Sequence, residues 1–288
     1  MKFAAIDIGS NSVRLLLWAD GRTLYKKMDT TRLGEGIART GVLSAAAIER
    51  TAAAVARFAA EARQAGAAEV YAFATAAVRG AENGGEFVEA VRRACGLRVD
   101  VLSGEREALA GLAGALGDAD GGVVDVGGAS TELTVRRGKE VYARSADIGA
   151  VRLKDLCGED EAALRSVIAE KLALFDGAPA CADLCAVGGT ATSLAALEGR
   201  VAPYDPACID GFVLTAACIE GWGSRLLGMT QAQRLALPGM DARRADILGG
   251  AALLLAAAAR KAGADRVTVR ESDNLEGYLA MAQGGGRT

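Results

Sequence analysis

Two short stretches place an aspartate just before a turn of small residues: Asp7-Ile8-Gly9-Ser10-Asn11-Ser12 and Asp125-Val126-Gly127-Gly128-Ala129-Ser130-Thr131. Glycine gives the chain access to positive φ and lets a ligand approach the main chain closely. Successive free N–H groups in such a turn form a concave nest for phosphate oxygens, and serine and threonine hydroxyls add donors. An aspartate beside a bound phosphate would repel it unless a divalent cation stood between them. Asp7, Asp125 and Glu132 therefore read as a metal-bearing acidic cluster. Mg2+ fits best, because it takes carboxylate, water and phosphate oxygens together. A third turn, Val187-Gly188-Gly189-Thr190-Ala191-Thr192, follows a strand-like run and opens a helix, which makes it a ready anion site. It is not a Walker A loop, since that spacing and its lysine are missing.

The chain has 288 residues and no histidine. That excludes Ser-His-Asp and Cys-His nucleophilic catalysis, phosphohistidine relays and His-ligated zinc or iron. Acid–base work falls to Asp, Glu, Lys, Tyr or Cys. The six cysteines include Cys181 and Cys185, four apart, but no second close pair completes a four-cysteine zinc site. Buried free thiols in a reducing compartment are the expectation. With 33 Lys+Arg against 36 Asp+Glu and no lysine tract, the chain carries no footprint for nucleic acid. Lys2 leads at once into a strand containing Asp7, so no signal peptide is read there. The apolar run Ile247 to Ala259 is shorter than the ~20 residues of a membrane span. The expectation is a soluble cytoplasmic protein that engages neither nucleic acid nor membrane.

The elements that must hold these turns follow from periodicity. KFAAIDI (2–8), VRLLLWA (13–19) and TLYKKMD (23–29) read as three strands, the last two joined at Asp20-Gly21. Ser44 caps a long alanine-rich helix to about Gln64. A strand (Val70 to Ala74), a helix (Gly85 to Cys95), a strand (Arg98 to Leu102) and a helix (Glu105 to Leu116) complete a β-β-β-α-β-α-β-α order. At residue 122 the order begins again, with a strand near Glu140 to Ala143, helices to Phe175, a strand Leu184 to Val187 and a helix after the third turn. Ala5 to Leu15 aligns with Val123 to Leu133 at an offset of 118 residues. The repeat argues for two similar lobes with the ligand between them. They are expected at residues 1–118 and 119–288, with the last helix packing back on the first lobe. Gly199 to Gly211 reads as an exposed loop and Gly284 to Thr288 as disordered.

Several motifs resemble one family. The DIGSNS opening, RLGEG (32–36), ATAAVRGAEN (74–83), LSGEREA (102–108), DVGGASTEL (125–133), DIGAVRL (147–153), AVGGTATS (186–193), RRADILGGA (243–251) and VTVRESDNLEGYL (267–279) occur in the order of the exopolyphosphatase/guanosine pentaphosphate phosphatase (Ppx/GppA) family. The resemblance runs from Phe3 to about Ala282 and is to the short, two-domain members. It implies an α/β fold of two ribonuclease-H-like lobes, of the actin/hexokinase/heat-shock-chaperone superfamily, with the active site in the interlobe cleft. It implies an Mg2+-dependent hydrolase that releases the terminal phosphate of inorganic polyphosphate, with guanosine pentaphosphate as a second substrate in some members. The family base, the second Glu of S-G-x-E-E-A, maps onto Glu107, and the first Glu position is Arg106 here. The metal carboxylates map onto Asp125 and Glu132, with Asp7 beside them from the turn reading. The phosphate loops map onto Gly9, Asn11, Ser12, Gly127, Gly128, Ser130, Thr131, Gly188, Gly189 and Thr190, and a phosphate-binding arginine onto Arg79.

Phosphoanhydride hydrolysis needs a positioned water, in-line geometry and charge neutralisation, none of which requires imidazole. Two alternatives stay open. Arg106 at a usual acid position suits an alarmone or polyphosphate sensor with vestigial hydrolysis, and the superfamily includes kinases. Arg106 itself reads as a solvated charge or an interlobe contact. Arg243 and Arg244 read as a local ion pair with Asp246. A homodimer is expected, because two-lobed members of this fold often dimerise.

Overall fold

The computed structural model describes residues 1–284. Strands β1 (Lys2–Ile8), β2 (Val13–Ala19) and β3 (Arg22–Asp29) form an antiparallel meander. Asp20 and Gly21, at φ 51° and 79°, supply the left-handed pair that a tight two-residue hairpin turn requires. After the short α1 (Ile37–Thr40) comes α2 (Ala45–Gln64), where Ser44 Oγ accepts from the Ala47 N–H at 3.2 Å, as its cap position predicts. Then follow β4 (Glu69–Ala74), α3 (Ala76–Gly80), α4 (Gly84–Cys95), β5 (Val99–Val101) and α5 (Gly104–Leu116). The sheet order is β3-β2-β1-β4-β5, with β4 and β5 parallel to β1.

The second half repeats this plan. Strands β6 (Gly121–Val126), β7 (Thr131–Arg137) and β8 (Glu140–Ala146) form a second meander. Helices α6 (Ala150–Cys157) and α7 (Glu161–Lys171), a 3-10 turn, β9 (Leu184–Val187) and α8 (Gly188–Glu198) follow. Beyond them lie α9 (Pro206–Ile209), β10 (Val213–Thr215), α10 (Ala216–Leu227), α11 (Gln231–Leu235), α12 (Leu248–Lys261), β11 (Arg266–Val269) and α13 (Asn274–Gly284). The second sheet runs β10-β11-β9-β6-β7-β8. Its strands β8-β7-β6-β9-β11 reproduce the 3-2-1-4-5 order of the first sheet, and β10 adds an antiparallel edge. This duplicated, mixed-sheet plan is the two-lobed α/β architecture that the sequence resemblance implies.

The apolar run from Ile247 to Ala259 is buried, as α12 at the centre of the second lobe's core. Among the described residues no helix is long and apolar enough to cross a membrane. Three details depart from the sequence reading. Helices α1 and α3 were not anticipated, being too short to show a 3.6-residue period. The loop 199–211 is mostly exposed but contains α9, whose Ile209 is fully buried. All six cysteines are free, and Cys181 and Cys185 are buried, but Cys208 is exposed. Gly284 ends α13, and the remainder of the expected disordered tail lies outside the described residues.

Candidate active site

Both Asp-bearing strands end in hairpins of the same build. The Gly9 N–H donates to Ser12 O and the Gly127 N–H to Ser130 O, each at 3.0 Å. Each turn is held from behind by a downstream segment. Arg32 and Gly34 N–H groups donate to Asn11 O and Ser10 O at 2.8 Å, so the RLGEG stretch braces the first turn. The Ala150 and Val151 N–H groups donate to Gly127 O and Gly128 O at 2.9 and 2.8 Å, so α6 braces the second.

Between the turns lies a cavity of about 70 Å3. It brings together Asp7, Gly9, Asn11, Ser12, Glu107, Asp125, Gly127, Gly128, Ser130, Gly188 and Gly189, all residues named from sequence. Thr131, Thr190, Arg79 and Glu132 are not in its lining. The Thr131 and Thr190 hydroxyls donate instead to Ile148 O (2.6 Å) and Val126 O (2.9 Å), which ties the second and third turns to their strands. Arg79 donates to Glu107 Oε2 at 2.9 Å and to Leu102 O at 2.7 Å, so it holds the glutamate in place. Glu132 accepts from Ser145 Oγ at 2.6 Å through Oε1.

The carboxylates are crowded and dry. Burial pushes Glu107 up to about 7, against the opposing charge of Arg79. Burial and the charge of Asp273 push Asp125 up to about 8. Glu132 is raised as well, first by burial and then by the charges of Glu107 and Asp125. Asp7 stands opposite Arg14 in the β1–β2 ladder and accepts from Arg14 Nε at 3.0 Å. Its burial outweighs that guanidinium and leaves it raised. Arg14 also donates to Asp273 at the start of α13, where the charges of Arg14 and Lys26 together overcome burial and hold the carboxyl low.

Ser10 of the first turn also lines the cavity, as do Arg14, Thr75, Arg244 and Asn274, which the turn motifs do not single out. The Asn274 amide donates to Asp125 Oδ2 at 3.3 Å. The expected Arg243–Arg244–Asp246 pair is corrected. A turn closed by Arg244 N–H to Asp241 O folds Asp241 back under both arginines, and Arg243 makes a forked contact with it at 2.8 and 3.0 Å. Asp246 faces the other way and takes both Nη atoms of Arg32, from the first lobe, at 3.0 and 3.1 Å. Arg244 is left nearly buried, 3.9 Å from Asp241, where burial pushes its pKa down. A Cβ on Gly189 would stand 1.9 Å from Arg244 Nη2, so only glycine lets the guanidinium lie along the third turn. Arg106 is half exposed and makes a forked contact within its own lobe, with Asp100 at 2.9 and 2.7 Å.

Residues 19–280 match the Ppx/GppA phosphatase family. The chain belongs to that family. It is 33% identical to Exopolyphosphatase 2 of Mycobacterium tuberculosis, covering 98% of this chain and 99% of that protein. An Aquifex aeolicus member of the Ppx/GppA family is 30% identical with a TM-score of 0.78, over 100% of this chain and 99% of that one. An exopolyphosphatase-like protein is 26% identical with a TM-score of 0.88, covering 99% of both chains. As a Ppx/GppA phosphatase the chain is a phosphoanhydride hydrolase.

For such a phosphatase the acidic wall suits a divalent cation. Asp7 Oδ1 and Glu132 Oε2 are buried and have no hydrogen-bond partner. All donors are hard carboxylate oxygens. Among the described residues no three acidic, Cys or His side chains converge as a ready cage. That pattern fits an ion which uses one or two carboxylates and fills the rest of its shell with water and phosphate.

Proposed function

We propose that the protein is an exopolyphosphatase that removes the terminal phosphate of inorganic polyphosphate. The observation that carries this reading is the join between two spaces. The small cavity shares Arg14, Gly188, Gly189 and Arg244 with a chamber of about 540 Å3, which adds Lys26, Lys27 and Arg243. By the ~10–15 Å3 that one water needs, the small cavity holds about five oxygen-sized groups. Those are the oxygens of a phosphoryl group in transfer together with the attacking water. The chamber would take the rest of the chain along its basic side.

In this reading Mg2+ is the ion held by Asp125 and Glu132, with the free oxygen of Asp7 beside them. When bound it would neutralise charge on the phosphoryl oxygens. Arg79 fixes Glu107 through Oε2 and leaves Oε1 to face a water. Glu107 takes that water's proton as the new P–O bond forms, and the bridging P–O bond breaks to release the shortened chain. A base with a pKa near 7 is matched to this task at neutral pH. The Gly9–Ser12 and Gly127–Ser130 amides hold the phosphoryl oxygens, and Arg244, with no strong partner of its own, takes the next phosphate.

The same chamber supports guanosine pentaphosphate as a second substrate. Its lining also includes the apolar side chains of Met28, Val201, Pro203, Met240 and Leu275 and the ring of Tyr204. An inorganic chain has no use for that surface, whereas a nucleoside does. The test is phosphate release from polyphosphate of defined lengths and from guanosine pentaphosphate, with and without Mg2+, for wild type and Glu107→Gln. No release by wild type, or full activity in the variant, overturns the reading. Tight binding without turnover would favour a sensor, and ATP formation from ADP and polyphosphate would favour a kinase.

A further inference from the structure

Helix α13 is the last described element, and it lies against β1 of the first sheet and against α5, which itself packs on β6, β7 and β8 of the second sheet. Its contact with α5 is backbone on backbone. A Cβ on Gly277 would stand 1.8 Å from Ala110 O, and one on Gly114 would stand 1.9 Å from Asp273 O. Such a crossing has one register, because any slide brings a side chain into the gap. On α5, Glu107 and Gly111 are one turn apart on the same face. A Cβ on Gly111 would stand 2.8 Å from Asn274 Oδ1, and the amide nitrogen of Asn274 reaches Asp125 in the second lobe. The seating of α13 therefore bears on the spacing of Glu107 and Asp125, which the packing of α5 on β6 also holds.

One side-chain cluster pins that seat from the outside. Tyr278 of α13 stacks on Phe73 of β4, with ring centroids 4.3 Å apart. Its hydroxyl donates to Asp100 Oδ2 of β5 at 3.2 Å. The same carboxylate receives both Nη atoms of Arg106, the neighbour of Glu107 in the first turn of α5. Strand, base-bearing helix and final helix thus meet at one carboxylate. Arg106, which stands at a position the family usually gives to glutamate, is one arm of this joint.

We propose that Asp100, Arg106 and Tyr278 form a positioning joint that, by fixing α13 on α5, steadies Glu107 against Asp125 beyond what the packing of α5 on β6 provides. None of the three lines the cavity or the chamber. The proposal rests on the reading of Glu107 as base.

The test compares wild type with Tyr278→Phe, which keeps the stack, and with Arg106→Gln and the conservative Arg106→Lys. Polyphosphate hydrolysis and amide hydrogen exchange over residues 274–280 are both measured. Expected for Tyr278→Phe and Arg106→Gln is a kcat about tenfold lower with KM within about twofold, inside the ~100-fold that a displacement near 1 Å costs. Exchange in the first turn of α13 should quicken by about tenfold while the rest of the core stays protected. Arg106→Lys, which keeps an ion pair with Asp100, should recover most of the kcat. A kcat within about twofold of wild type in both variants overturns the proposal, as does a rise in KM that accounts for the whole loss. If Tyr278→Phe does not fold, the exposed Arg106 variants carry the test. If wild type releases no phosphate, the functional reading fails, and the exchange arm alone decides whether the joint fixes α13.

Discussion

The two Asp-bearing hairpins share a register and differ in charge. In the first, Asp7 stands opposite Arg14; in the second, Asp125 stands opposite Glu132. Both positions are offset by 118 residues, so Arg14 and Glu132 hold the same place in a repeated design. The first hairpin answers its own carboxylate with a guanidinium, which it also extends to Asp273. The second stacks one buried carboxylate against another, and both are raised. A protein that repeats one fold thus needs little more than one changed charge to separate two tasks. In the proposed function the first lobe would bring a fixed cation to an anionic ligand, and the second would keep a place for a mobile one.

Making the second hairpin a copy of the first should have the largest effect. Glu132→Arg should lower phosphate release by at least ~100-fold, given the several kcal/mol a catalytic cation supplies. It should also abolish any rise in melting temperature on adding Mg2+. A variant that keeps both responses breaks the comparison.

The reverse deletion tests the first hairpin. Arg14→Gln leaves Asp7 and Asp273 buried without their shared cation. Removing one member of a buried pair costs ~3–5 kcal/mol, to be read as a lower urea midpoint. Glu132→Gln should act with the opposite sign and raise the midpoint, because it replaces a carboxyl whose charged form burial and the neighbouring carboxylates disfavour. Equal signs at the two matched positions would mean that the hairpins are not differentiated by charge.

Much of this was legible beforehand, because the turns are local. Asp-x-Gly followed by small polar residues announces itself, the offset repeat pairs the two turns, and Ser44 caps its helix where the pattern predicts. Arg14 was within reach, since strict alternation through a four-residue turn puts it opposite Asp7. The α9 helix was too: Asp205 caps it and Pro206 opens it, a recognised start signal inside a stretch read as loop. Asn274 and Arg244 were beyond reach, because nothing near them in the chain points to Asp125 or Gly189. Their place depends on how α13 and the segment before α12 fold back onto the cleft. Arg79 shows a different limit, for its motif gives the neighbourhood, and only the fold shows that Glu107 takes its guanidinium.

The raised carboxyls of Glu107 and Asp125 also make stability depend on pH. A carboxylate whose folded pKa is raised binds more protons in the native state, so stability falls as pH rises from its ordinary range to the raised value. For Glu107 and Asp125 that window runs from the ordinary carboxylate range near pH 4 to about 7 and 8. Thermal melts without divalent cations should therefore decline from pH 5 to pH 8.5, and saturating Mg2+ should flatten the decline. Glu107→Gln should narrow the gap between the two conditions. A wild-type profile that rises over this range would mean that the second hairpin is not holding excess negative charge.

The smallest effect belongs to the tie between the lobes. Arg32 and Asp246 join the brace of the first turn to the segment that carries Arg244, with side chains 37% and 25% exposed. At that exposure the pair should contribute about 1 kcal/mol or less, and salt should screen it. Arg32→Gln should leave the urea midpoint nearly unchanged while removing part of the salt dependence of KM for polyphosphate. A loss well beyond ~1 kcal/mol would show that the two hairpins hold their facing positions through this bridge. Near neutrality of the substitution would instead place the hold where the buried contacts are, at Arg14–Asp273 and Asn274–Asp125, both made by the two residues at the head of the α13 strap.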